Sequence, residues 1–236
     1  MKLRSALLPP SHSTELDTGL RFTDILFGLV IAQIFLRLQN VAELQGFVRW
    51  QLITSAIIVL GSWIGFRRSV NRSQYEVQFF NLPLFRFVLD QLMVLLYFRI
   101  AILTPTDPSA PVDPSTLTGS TLKALLLVFV LYVLWDVGGL LMAHGWRGQS
   151  SKYENARADW PSLLITLFFL AAFGALYHVC TEIDVGEHQA SLLFGGASLL
   201  LLLYRWAKEI HATRRAERDG KLEDTGALTG RKYKDP

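Results

Sequence analysis

Apolar residues in this chain arrive in blocks of about 20, and that block length decides which solvent the chain can fold in. A helix rises 1.5 Å per residue, so about 20 apolar residues in a row cross the roughly 30 Å of hydrocarbon in a bilayer. Six such blocks run over about 19–38, 47–66, 82–103, 122–144, 160–180 and 189–207. None alternates with period two. In lipid, an open strand edge leaves N–H and C=O groups unpaired at several kcal/mol each, which selects helices over a barrel. The blocks therefore predict an all-α integral membrane protein with six transmembrane helices. Residues 1–18 read as an arm, 19–208 as the six-helix domain and 209–236 as a basic tail. The composition agrees, with 18% charged residues against roughly 25% in soluble globular domains.

Within this frame Asp17 or Thr18 is the expected N-cap of the first helix, and Pro83 fits the first turn of the third. The stretch from Thr104 to Thr121, rich in Pro, Ser, Thr and Asp, reads as the one long loop. Ala6-Leu7-Leu8, stopped by Pro9-Pro10, is too short for a signal-peptide core and reads as uncleaved.

Lysine and arginine placement sets the orientation. Eighteen of the 23 lie in the arm and entrance (Lys2, Arg4, Arg21), the 2–3 link (Arg67, Arg68, Arg72), the 4–5 link (Arg147, Lys152, Arg157) and the stretch from Arg205 to Lys234. The opposite loops carry Asp107, Asp113, Glu182, Asp184 and Glu187 but no lysine or arginine. By the positive-inside rule both termini are cytoplasmic, N-in and C-in; Arg37 and Arg49, flanking the 1–2 link, depart from the pattern. Because the basic residues flank apolar blocks instead of forming a domain, the lipid bilayer is the expected partner and nucleic acid is not. Arg205 with Glu209 and Glu217 with Lys221 stand at i,i+4, which extends the sixth helix into the cytoplasm as far as Gly220.

Charges inside the apolar blocks are the functional candidates, since a lone Asp or Arg at mid-helix costs about 2.5–3.5 kcal/mol on insertion. They are Asp24, Arg86, Asp90 and Asp136. Arg86 and Asp90 share a face at i,i+4, and Asp24, Arg86 and Asp136 fall at similar depth, so a cross-helix cluster is sterically allowed. It reads either as a charge-paired clamp or as a conducting or proton-relaying element. Gln33, Asn81, Gln91 and Tyr132 extend the polar set, but so few polar residues do not line a wide pore through one subunit. Any pore is then expected between subunits.

Other constellations carry less. His178, Cys180, Glu182, Asp184, Glu187 and His188 match no metal spacing, and the single cysteine excludes an intrachain disulfide. Ser198, after Gly195-Gly196-Ala197, would need His178 as its base but sits in no GxSxG elbow, and Gly138-Gly139 reads as a packing site. HExxH, P-loop and GxGxxG motifs are absent from the sequence. The expectation is no catalytic residue, no metal and no cofactor.

Helix 1 opens Leu20-Arg21-Phe22-Thr23-Asp24-Ile25-Leu26-Phe27. This resembles the Phe-Ser-Asp signature that opens the first helix of the lysosomal potassium-channel family and its six-helix bacterial relatives. Six blocks, cytoplasmic termini, a basic 2–3 link and Asn81 near the start of helix 3 are similar in plan. The chain departs from the family pattern at Thr18, where the family has arginine, and at Thr23, where it has serine. The resemblance implies a homotetramer in a bacterial-type cytoplasmic membrane. Helix 1 would line a central potassium pathway, Phe22, Thr23 and Asp24 would form the packing signature, and Leu29 and Ile31 would supply the apolar constriction. Asp24 and Leu29 stand 500° apart on the helix and cannot both face one axis, so Asp24 is expected to bond to neighbouring helices. The first expectation is thus an oligomeric channel for potassium or another monovalent cation. The second is a non-transporting scaffold that binds a partner through its basic tail, followed by a proton-coupled transporter using Asp90 or Asp136, and last an intramembrane enzyme.

Overall fold

The computed structural model describes residues 13–72, 82–105, 107, 109–145 and 160–228. Among them the apolar blocks form six helices and no strand: α1 Ser13–Leu38, α2 Gly46–Arg72, α3 Leu82–Leu103, α4 Pro114–Gly145, α5 Trp160–Glu182 and α6 Glu187–Leu228. Four of them, α2, α4, α5 and α6, are long and apolar enough to cross a membrane. Of the remaining two, α3 interrupts its apolar run with three charges, Arg86, Asp90 and Arg99. The outer arm at 1–12, Asn81, and the basic link residues Arg147, Lys152 and Arg157 lie outside the described residues.

Side-chain contacts fix how the helices run. Asp24 on α1 meets Trp63 and Arg67 near the end of α2, so these two are antiparallel. Thr23 accepts from Gln91, and Arg37 donates to the Thr104 carbonyl, so α1 and α3 run the same way. Tyr97 meets Tyr132 across α3 and α4. Asp136 meets Ser162 across α4 and α5, and Thr54 and Ser62 on α2 meet Ser198 and Arg205 on α6. Successive helices alternate in direction, and the polar ends Asp24, Arg67, Asp136, Ser162 and Lys208 gather at one end of the bundle.

The core between them is apolar and aromatic. Phe47, Leu52, Tyr97, Phe129, Phe173 and Phe194 are fully buried. Phe129 stacks on Phe173 at 4.6 Å and meets Tyr204 edge-on at 5.0 Å, tying α4, α5 and α6. The outside is also apolar: Leu95, Leu164, Phe168, Leu192, Leu199 and Trp206 are all more than half exposed. Water-soluble monomers seldom show so continuous an apolar exterior. With four span-length helices, it makes this an all-helical chain of the multi-pass membrane type.

Several boundaries differ from the sequence expectation, each for a local reason. α1 begins at Ser13, so Asp17 and Thr18 fall inside it rather than at its cap. α4 begins at Pro114, taking the last eight residues of the stretch read as loop. Asp113 caps it, accepting from the Thr116 amide at 2.8 Å, and Pro114 takes the first helical position, where its missing N–H costs nothing. α6 continues through Gly220 to Leu228.

The two arginines that broke the charge pattern act as carbonyl binders. Arg37 is buried and donates to the Thr104 carbonyl at 2.6 Å and to Gln33 at 2.9 Å, joining the ends of α1 and α3. Arg49 donates to the carbonyls of Leu44 and Ala42 in the 1–2 link. Gln51 completes this end, donating to the Ile100 carbonyl and accepting from the Thr104 hydroxyl.

Candidate functional site

Polar side chains concentrate at the end of the bundle that carries Asp24 and Lys208, in three groups. The most buried is built on α6. Its core face repeats at Leu201, Tyr204, Arg205 and Lys208, the i, i+3, i+4, i+7 spacing of one helix side, so the last two residues point inward although they are basic. Arg205 donates to the Ser62 hydroxyl at 2.8 Å and to Tyr132 at 3.1 Å. Ser62 and Tyr132 are 2.5 Å apart, and Tyr132 contacts the Tyr97 hydroxyl at 2.8 Å. One hydrogen-bonded chain therefore links α2, α3, α4 and α6.

Room for the arginine comes from two glycines. A Cβ on Gly61 would stand 2.9 Å from Arg205 Nε, and one on Gly65 would stand 2.7 Å from Nη1. This Gly-xxx-Gly step on α2 holds a guanidinium rather than a second helix backbone, the more familiar use of such spacing.

One turn further along α6, Lys208 enters the second group. Its ammonium lies 2.8 Å from Asp136 and donates to the Ser162 carbonyl at 3.0 Å and hydroxyl at 2.6 Å. Thr166 also donates to Asp136, at 2.5 Å. The Asp136 side chain is 9% exposed and that of Lys208 21%. A partly buried pair with several hydrogen bonds meets the condition under which such charges persist away from bulk water.

The third group involves α1. Asp24 accepts from Trp63 Nε1 and lies 3.3 Å from Arg67, while Thr23, fully buried, accepts from Gln91 at 2.8 Å. Thr23 and Asp24 thus attach α1 to α3 and α2. Phe22 is half exposed on another face.

Arg86 and Asp136 go to different partners. Arg86 lays its guanidinium on the Trp135 ring, 3.7 Å from the centroid, with its stem against Gly138. Asp90 is buried, and Asp136 is held by Lys208. On α1, Leu29 points outward at 55% exposure, whereas Ile31 packs half-buried against the core. Only Leu29 of the two constriction candidates faces away from the bundle.

Among the described residues no three His, Cys, Asp or Glu side chains come together as a metal site. His178 is exposed beside Glu182, 3.8 Å away, and Ser198 hydrogen-bonds to Thr54 on α2. Arg205 and Lys208 escaped the sequence reading because both were counted with the basic stretch that runs to Lys234. The i, i+3, i+4, i+7 continuation of the α6 core face was the signal that separates them from it.

Comparison with family models, with curated proteins and with solved structures gives no match.

Proposed function

We propose that the chain crosses the membrane six times with both termini in the cytoplasm and assembles as a homo-oligomer around α1, forming a channel for potassium or another monovalent cation. The observation that carries this reading is the outward face of α1. Phe22, Ile25, Leu29, Ala32 and Leu36 follow a 3-4-3-4 spacing on one exposed stripe. Asp24 is turned off that stripe into contact with α2. An apolar seam with no charge at its centre suits a symmetric axis at which a ring of Leu29 side chains gates by dewetting.

The interior supports the same choice. Arg205 is closed in by Ser62 and tyrosines, and Lys208 by Asp136. A cation entering one subunit would meet fixed positive charge, which moves the conducting path to the subunit boundary. The resemblance of helix 1 to the Phe-Ser-Asp channels, which place helix 1 at the pore, points the same way. A scaffold role is favoured by one different observation: α6 has 42 residues, about 63 Å of helix, roughly twice the hydrocarbon thickness, and so projects well past the bundle.

Potassium flux into liposomes holding the purified protein separates the two. Leu29→Ala is expected to raise flux several-fold by widening the apolar ring, and Asp24→Asn to lower the amount of folded protein. Folded, inserted protein that passes no potassium would remove the channel reading and leave the scaffold.

A further inference from the structure

Two basic residues remain that neither the orientation pattern nor the polar groups explain: Arg99 on α3 and Lys123 on α4, both exposed. Among the described residues neither forms an ion pair or a side-chain hydrogen bond. They stand toward the end of the bundle opposite Asp24 and Lys208, where the flanking loops carry acids and no lysine or arginine.

The surface beside Arg99 is a groove of about 350 Å³ between the two helices, within the ~300–1,000 Å³ range of small-ligand sites. Leu92, Leu95 and Leu96 form one wall and Leu127, Val130 and Leu131 the other, with Arg99 its one charged lining residue. The groove opens outward, away from the Tyr97–Tyr132 contact that joins the same helices inside. Lys123 shares the face of α4 that holds Leu127, one turn nearer the same end. The arrangement is therefore an apolar trough leading to two cations with no carboxylate lining it.

We propose that this α3–α4 groove binds an anionic phospholipid, in the leaflet opposite the one that holds the termini, with an acyl chain along the leucines and the phosphate between Arg99 and Lys123. Charge and shape complementarity choose the occupant. A second copy of the chain would bring its own apolar face and leave two cations unpaired in lipid. A zwitterionic phospholipid fills the trough as well, but its own ammonium competes for the phosphate. Arg99 supplies a planar fork that matches phosphate oxygens, and Lys123 a point charge on a flexible stem that reaches toward the headgroup layer. Each interfacial cation is worth roughly a fivefold preference for an anionic lipid. The site depends on residence in a membrane and not on α1 forming a pore.

The test is photolabelling of the full-length protein in nanodiscs with phosphatidylglycerol or phosphatidylcholine carrying a diazirine on one acyl chain, followed by peptide mapping. Phosphatidylglycerol is expected to label Leu92–Arg99 and Leu127–Leu131 above the rest of the apolar surface, and phosphatidylcholine to label them far less. Arg99→Gln or Lys123→Gln should each cut that preference about fivefold, and the double variant about thirtyfold. Leu96→Trp, which fills the trough and keeps both charges, should abolish labelling there; size-exclusion elution shows whether each variant remains folded. Equal labelling by the two lipids, labelling spread evenly over all exposed helices, or protection of the groove by a second copy would each overturn the proposal. Potassium flux measured on the same nanodisc protein after transfer to liposomes is read separately, so loss of the channel reading leaves the lipid result standing.

Discussion

Arg205 lies between Gly61 and Gly65 with its guanidinium bonded to Ser62 and Tyr132, so a Cβ on either glycine would force that side chain to shift. Gly65→Ala should displace that group and loosen the hydroxyl chain from Ser62 to Tyr97. The expected cost is about 1–3 kcal/mol, as for other overpacked sites, measured as lower thermal stability in detergent. Gly174→Ala is the control, because its Cβ would meet only Leu126, at 4.0 Å. The Asp136–Lys208 pair behaves differently, since removing one member strands the other. Asp136→Asn or Lys208→Met alone should each cost about 3–5 kcal/mol, and the double variant distinctly less than the sum. A double-mutant cycle by chemical denaturation gives the coupling directly, and additive effects would show that the two charges act independently.

Helix ends were the least legible elements, and α4 shows why. Pro, Ser, Thr and Asp between positions 104 and 121 have the composition of a loop, but Asp113 followed by Pro114 is a cap followed by a first-turn proline. The Asp113 carboxyl is held below the usual carboxylate range by bonds from the Thr116 hydroxyl and amide. Because its folded value is depressed, its contribution is complete above about pH 4 and fades as the pH falls through the lowered value. Amide hydrogen exchange should therefore show protection in the first turn of α4 declining in acid. In Asp113→Asn, which caps without titrating, that decline should vanish; an unchanged decline would place its origin elsewhere. Helix interiors were readable because lipid demands continuous apolar runs. Side-chain direction was not, as Arg205 illustrates: a basic residue at a block edge counts the same whether it turns outward to water or inward to Tyr132.

For the molecule as a whole, among the described residues, the end of the bundle that holds Asp24 and Lys208 carries the Asp24–Arg67 and Asp136–Lys208 pairs, and at the other end Arg37 and Arg49 donate to backbone carbonyls. The charge pattern predicts N-in/C-in insertion, which is checkable. In a Cys180→Ser background, Ser109→Cys should react with an impermeant maleimide from outside intact cells, and Thr213→Cys only after the membrane is opened. The reverse pattern would invert the topology. What the sequence left unreadable at this scale was the partner of each charge. Asp24, Arg86 and Asp136 do lie toward one end, but depth alone cannot tell that Asp24 goes to Arg67, Arg86 to Trp135 and Asp136 to Lys208. The 42-residue α6 then has a mechanical consequence. Its projecting half is a lever continuous with the segment in which Arg205 and Lys208 are keyed into α2, α4 and α5. Torque applied to the free end is transmitted along the rod and borne first by those two side chains.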